Sequence, residues 1–90
     1  MKLNTRYSNH PNDVKHYTTE ELREHFLIED VFVKDEANLT YSHNDRIIAG
    51  GIQPVQEILT LEAGKEMGVE TFFERREGGI INIGGKGIIT

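Results

Sequence analysis

"YSHNDRIIAGGI", Tyr41 to Ile52, decides how this chain folds. A polar knot, His43-Asn44-Asp45-Arg46, separates the alternating pair Leu39 and Tyr41 from the β-branched run that ends at Ile52. Apolar alternation on either side of a short polar cluster reads as a corner between two strands. Gly50-Gly51 inside the run points to a bulge or a close backbone approach rather than a helix. The knot also carries His-x-Asp, and residues two apart on a strand face the same side. His43 and Asp45 could therefore meet one metal ion. A zinc site wants a third protein ligand, and His10, His16 and His25 lie at no ligand-like spacing from the pair. In the other reading Asp45 fixes a turn and His43 hydrogen-bonds the backbone.

Upstream, "YTTEELREHF" (17–26) has the grammar of a helix start. Thr18 as N-cap and Glu21 three positions on make a capping box, and Tyr17 with Leu22 suits a hydrophobic staple. Leu22 and Phe26 then share one face. "IEDVFVKDE" (28–36) alternates Val31 and Val33 against Phe32, which predicts a strand. Downstream, "QEILTLEAG" (56–64) alternates as a strand closed by Gly64. In "KEMGVETFFERRE" (65–77) the charge suits a helix, but Gly68 and the Val-Thr-Phe-Phe content favour a strand beginning near Val69. Gly78-Gly79 is a turn signal, and "IINIGGKGIIT" (80–90) is two β-branched runs divided by Gly84, Gly85 and Gly87.

The sum is one short helix followed by five or six short strands, an all-β pattern of the barrel or sandwich kind. The last residues, "KGIIT", stop within a strand signal. A sheet ending there would leave an open edge, so the chain reads as the front part of a longer protein. Residues 1–17 form a lead-in and residues 18–90 the incomplete first barrel.

All nine glycines lie between Gly50 and Gly87, which makes the second half the turn-rich one. The net charge of −5 argues against nucleic acid, whose binding needs a basic face to release counterions. No apolar run approaches the roughly 20 residues that span a bilayer. Cysteine is absent, which excludes disulfides and thiolate metal sites and agrees with a cytoplasmic protein.

"GGKG" (84–87) invites a phosphate-loop reading, but the spacing fails. Ile80 stands where the first glycine should be, and Gly87 stands where Ser or Thr should follow the lysine. Thr90 likewise occupies the place of the last glycine in a dinucleotide fingerprint, which leaves a tight turn. Glu74, Arg75, Arg76 and Glu77 alternate in charge, as a solvated strand with weak cross-strand ion pairs would. Alternatively one arginine grips a carboxylate through a bidentate fork, and Arg46 is a similar candidate. Phe72 and Phe73 read as core.

"YSHNDRIIAGGIQP" (41–54) followed by "FFERREGGIINIGGKGII" (72–89) resembles the N-terminal part of the 5-keto-4-deoxyuronate isomerase family. The resemblance begins near "LREHFLIEDVFVKDE" (22–36) and leaves residues 1–17 outside it. It implies a cupin-like fold with two barrels per subunit, commonly assembled as a hexamer. It also implies a zinc-dependent ketol-isomerase of pectin degradation, interconverting 5-dehydro-4-deoxy-D-glucuronate and 3-deoxy-D-glycero-2,5-hexodiulosonate. The zinc ligands of such a protein belong to the second barrel, beyond Thr90, so the ninety residues alone are expected to be inactive and to supply no metal ligand.

The implied reaction moves a proton between adjacent carbons through an enediolate. It needs a base, an electrophile for the oxyanion and a cation for the substrate carboxylate. Chemical suitability nominates Arg46, Arg75 and Arg76 for the carboxylate and His43 for proton transfer. A non-catalytic cupin-like β binding module is the other reading of the same residues.

Overall fold

Among the described residues the buried apolar side chains are Ala37, Leu39 and Tyr41, and all three stand on one strand. The computed structural model describes residues 1–63 and 67–90. In it the chain runs β1 (Lys2–Arg6), α1 (Pro11–Val14), α2 (Thr19–Phe26), β2 (Ala37–Ser42) and β3 (Ile47–Ile52). The three strands form one sheet in the order β1-β2-β3. Being central, β2 is covered along nearly its whole length, Thr40 included.

The hairpin is the one the polar knot predicts. β2 and β3 pair antiparallel from Ala37↔Ile52 to Ser42↔Ile47, with His43 to Arg46 as the loop. The ladder continues through Gly50 and Gly51 with no bulge, so the close-approach alternative is the one realised. β1 pairs parallel to β2, from Lys2↔Asn38 to Arg6↔Ser42. Parallel neighbours need a long crossover, and here it comprises α1, α2 and the segment to Glu36.

Register assigns the two faces of the sheet. Leu3 and Thr5 of β1, Leu39 and Tyr41 of β2, and Ile48 and Gly50 of β3 share one face. Asn38, Thr40 and Gly51 share the other, on which the end of the crossover lies. There Asn38 Nδ2 donates to the Asp30 carbonyl at 2.6 Å. A side chain at 51 would come within 2.7 Å of the Phe32 ring.

α2 begins as its capping box requires. The Thr18 hydroxyl accepts from the Glu21 amide at 3.2 Å, and the Glu21 carboxylate accepts from the Thr18 amide at 3.2 Å. Tyr17, expected to pack on Leu22, stacks on the imidazole of His25 with ring centroids 5.0 Å apart. α1 is a second, unforeseen helical turn, with Pro11 at its start and the His10 side chain accepting from the Asn12 amide.

The all-β reading holds in its coarse form, since a sheet is the principal ordered element. Among the described residues it has three strands rather than five or six. One of the three, β1, lies in the lead-in, where no strand was expected. The other expected strands are absent for local reasons. Residues 28–36 are bracketed by Asp30 and Asp35 at φ 49 and 54, left-handed positions that turn the backbone out of an extended path. Only one isolated bridge, Lys34↔Gln53, survives there.

The start of 56–64 is diverted by Asp35. Its Oδ1 accepts from the amides of Val55 and Gln56 at 2.7 Å each and of Glu57 at 3.2 Å, groups a ladder would need. The expected closing residue, Gly64, lies outside the described residues. Residues 72–75 form a turn, closed by bonds from the Glu74 amide to the Thr71 carbonyl and from the Arg76 amide to the Phe73 carbonyl. In 80–90 the Asn82 side chain bonds the Gly84 amide and the Gly85 carbonyl, both at 3.0 Å, making the glycine-rich stretch a turn. Its flanking isoleucines stay exposed, Ile81 at 88% and Ile88 at 92%.

The Asp35 clasp makes a pH prediction. Its carboxyl is held below the ordinary value of 3.8, first by the Gln56 amide, then by that of Val55 and more weakly by that of Glu57. A depressed folded-state pKa gives stability that is complete above the unfolded value and is lost as pH falls through the folded one. Wild type should therefore resist urea better than Asp35→Asn at pH 6. The difference between their midpoints should close on acidification below pH ~4. A constant gap down to pH ~2.5 would contradict this account of the clasp.

Candidate functional site

Across the hairpin face that carries Leu39 and Ile48 runs a groove of about 810 Å³. β3 forms one wall and the segment from Phe72 to Ile81 the other. Its floor and sides are apolar, from Ile48, Ile52, Leu61, Phe72 and Phe73, while Asp45, Arg46, Arg76 and Glu77 supply its charge. The turn at 72–75 decides which arginine takes part. Arg76 lines the groove and is half-buried, whereas Arg75 is exposed and is not among the lining residues.

Arg46 closes the hairpin loop at φ 55, a left-handed conformation that costs a non-glycine residue about 1–2 kcal/mol. Arg76 braces it, with Nη1 donating to the Arg46 carbonyl at 2.7 Å. The same guanidinium lies over the Tyr41 ring, 4.9 Å from its centroid. Stacking on a buried aromatic ring holds an arginine in one plane and leaves its remaining N–H groups to aim.

Among the described residues the ring of His43 makes no hydrogen bond to the backbone, the role expected of it beside a turn-fixing Asp45. Its imidazole stacks with both Tyr7, at 5.1 Å and 12°, and Tyr41, at 4.6 Å and 9°. Its main chain makes the bonds, with the amide donating to the Arg6 carbonyl at 2.9 Å and the carbonyl accepting from Ser8 Oγ at 2.9 Å. The structure thus brings together His43, Arg46 and Arg76 through Tyr41 and leaves Arg75 apart. Tyr7 and Tyr41 belong to the constellation and were not nominated. Tyr41 could have been found, since it stands two before His43 on a predicted strand. Tyr7 has no local signal.

Among the described residues no three His, Asp or Glu side chains gather to hold a metal ion. Among the described residues His43 and Asp45 acquire no third partner, which a zinc centre would need. Among the described residues no helix is long and apolar enough to cross a membrane.

No protein-family model matches the chain. Curated relatives do. The 4-deoxy-L-threo-5-hexosulose-uronate ketol-isomerase of Lachnoclostridium phytofermentans is 59% identical over 90 residues, which is 100% of this chain and 32% of the relative. The protein of Enterococcus faecalis named 4-deoxy-L-threo-5-hexosulose-uronate ketol-isomerase 2 is 56% identical over 87 residues, covering 97% of this chain and 32% of its own length. That of Bacillus pumilus is 51% identical over 88 residues, with 98% and 32% covered. The match to the Lachnoclostridium protein takes in residues 1–17, which corrects the expectation that the lead-in lay outside the resemblance. In sequence, this chain is a relative of the 4-deoxy-L-threo-5-hexosulose-uronate ketol-isomerases and spans about a third of the length of the curated relatives it matches.

Proposed function

We propose that the chain is the N-terminal third of a ketol-isomerase of uronate metabolism, and that its groove grips a sugar acid. One observation carries the first part, the 59% identity across all ninety residues to a protein bearing that name. The whole protein would interconvert 5-dehydro-4-deoxy-D-glucuronate and 3-deoxy-D-glycero-2,5-hexodiulosonate in the cytoplasm, as a zinc-dependent homo-hexamer of two-barrel, cupin-like subunits. The metal would be bound outside these residues, and the β1-β2-β3 sheet would be part of the first barrel.

The groove's chemistry suits a uronate. Arg46 and Arg76 offer charge-assisted donors for a carboxylate, while Asp45 and Glu77 offer acceptors for sugar hydroxyls. His43, locked in its stack and half-buried, serves here to hold Tyr41 in place. It remains the proton-transfer candidate of the constellation, since an imidazole can both give and take a proton.

Two measurements test the reading. A chimera in which these residues replace the matching third of the Lachnoclostridium relative should retain the isomerisation its name describes; a folded but inactive chimera would refute the assignment. Separately, D-galacturonate titrated into the ninety-residue chain should shift the amides of Arg46 to Gly50 and of Arg76 to Ile80, and D-galactose should not. Arg76→Gln should weaken that binding about tenfold. Equal response to the neutral sugar would remove the carboxylate grip.

A further inference from the structure

We propose that Tyr7 is a positioning residue for the carboxylate-binding groove, acting through His43 and Tyr41 on Arg76. The proposal rests on the reading of the groove as a sugar-acid site. Tyr7 touches no part of the groove itself and is 72% exposed, an exposure at which an aromatic ring usually has no fixed neighbour. Here its neighbours are fixed. Thr5 pairs with Tyr41 in the parallel ladder, so Tyr7 and His43, each two positions further on, come side by side on the same face. The flanking residues clasp the arrangement, because Arg6 accepts from the His43 amide and Ser8 donates to the His43 carbonyl.

Four groups form a continuous column. Tyr7 stacks on His43 and His43 on Tyr41, with interplanar angles of 12° and 9°. Tyr41 carries the Arg76 guanidinium at 4.9 Å, and Arg76 bonds the strained Arg46 carbonyl. Near-parallel rings at these separations restrict one another's rotation. Without Tyr7 the imidazole of His43 loses one of its two stacking neighbours and is freer to turn, and the Tyr41 ring that packs on it is held less firmly. The seat of the Arg76 guanidinium over Tyr41 then loosens, and with it the aim of its donors. The column thus links the residue just past the first strand to the mouth of the site.

The test compares Tyr7→Ala, Tyr7→Leu and Tyr7→Phe in the ninety-residue chain, with D-galacturonate as the probe. Tyr7→Ala should weaken binding about threefold to fivefold while the urea midpoint moves little, since the residue is exposed. Tyr7→Phe should restore wild-type affinity, because stacking needs the ring and not the hydroxyl. Tyr7→Leu keeps bulk without a flat face and should behave like alanine; it replaces the alanine variant as the readout if that one fails to fold.

The Arg76 Nε–H resonance gives a ligand-free check. It should move in the Ala and Leu variants and return in Phe. Unchanged affinity in folded Tyr7→Ala, or a Phe variant as weak as Ala, overturns the proposal, as does an Arg76 resonance indifferent to residue 7. Failure of wild type to bind the uronate, with the Arg76 resonance still responding to residue 7, would refute the groove's reading and leave the column standing.

Discussion

Gly50→Val is expected to abolish the sheet. A Cβ at residue 50 would overlap the Asn38 carbonyl oxygen and lie 2.8 Å from Leu39 Cα and 2.9 Å from Leu39 Cδ2. Two of those three obstacles are backbone of the paired central strand, so no rotamer change relieves them. Overpacking of this kind costs about 3 kcal/mol or more, a large share of what a small domain has. With only Ala37, Leu39 and Tyr41 buried and apolar among the described residues, there is little core to absorb it. Loss of the strand signal in far-UV circular dichroism and of dispersed amide resonances is the expected result. Gly84→Ala and Gly85→Ala are the controls: nothing lies within 4 Å of either added methyl, and the urea midpoint should hold or rise slightly. A Gly50→Val chain with a wild-type midpoint would show that the strands are further apart than described.

Tyr41→Ala should destabilise by about 3–5 kcal/mol, the usual cost of truncating a large buried aromatic. The residue is 7% exposed, stands next to the end of the central strand β2, and its ring is shared by His43 and Arg76. Removing it also leaves Arg46 in its left-handed conformation with a less restrained brace. Tyr41→Phe keeps the ring and should cost less than about 1.5 kcal/mol, since among the described residues the hydroxyl has no hydrogen bond to lose. Denaturant titration of the two variants measures the contrast. Equal losses for Ala and Phe would mean that the hydroxyl, not the ring face, holds the site.

What the sequence made legible was what is local. The hairpin could be read because both of its strands and its polar loop fall within sixteen residues, Ala37 to Ile52. The α2 capping box could be read because Thr18 and Glu21 need only each other. β1 could not, because "KLNTR" holds a single apolar residue and is a strand only by virtue of pairing with Asn38 to Ser42. The strands expected at 28–36 and from near Val69 to 77 failed because alternation cannot reveal a left-handed aspartate or a turn bond. At the site, Arg75 and Arg76 are chemically identical neighbours, and only the turn at 72–75 selects one of them. Tyr7 is invisible from its own surroundings, since its role depends on a parallel register set elsewhere.

The two seams of the sheet also differ in how much chain each must gather. Joining β2 to β3 closes a loop of four residues, whereas joining β1 to β2 closes the thirty from Tyr7 to Glu36. Loop entropy rises by about 0.6 kcal/mol per doubling, so the longer seam carries roughly 2 kcal/mol of additional closure cost. The hairpin should therefore zip up early, and the first strand should dock late and detach early. In hydrogen exchange Leu3 and Thr5 would trade their protons well before Leu39 and Ile48. Molecules caught between those two events would have an intact hairpin and an unlatched beginning.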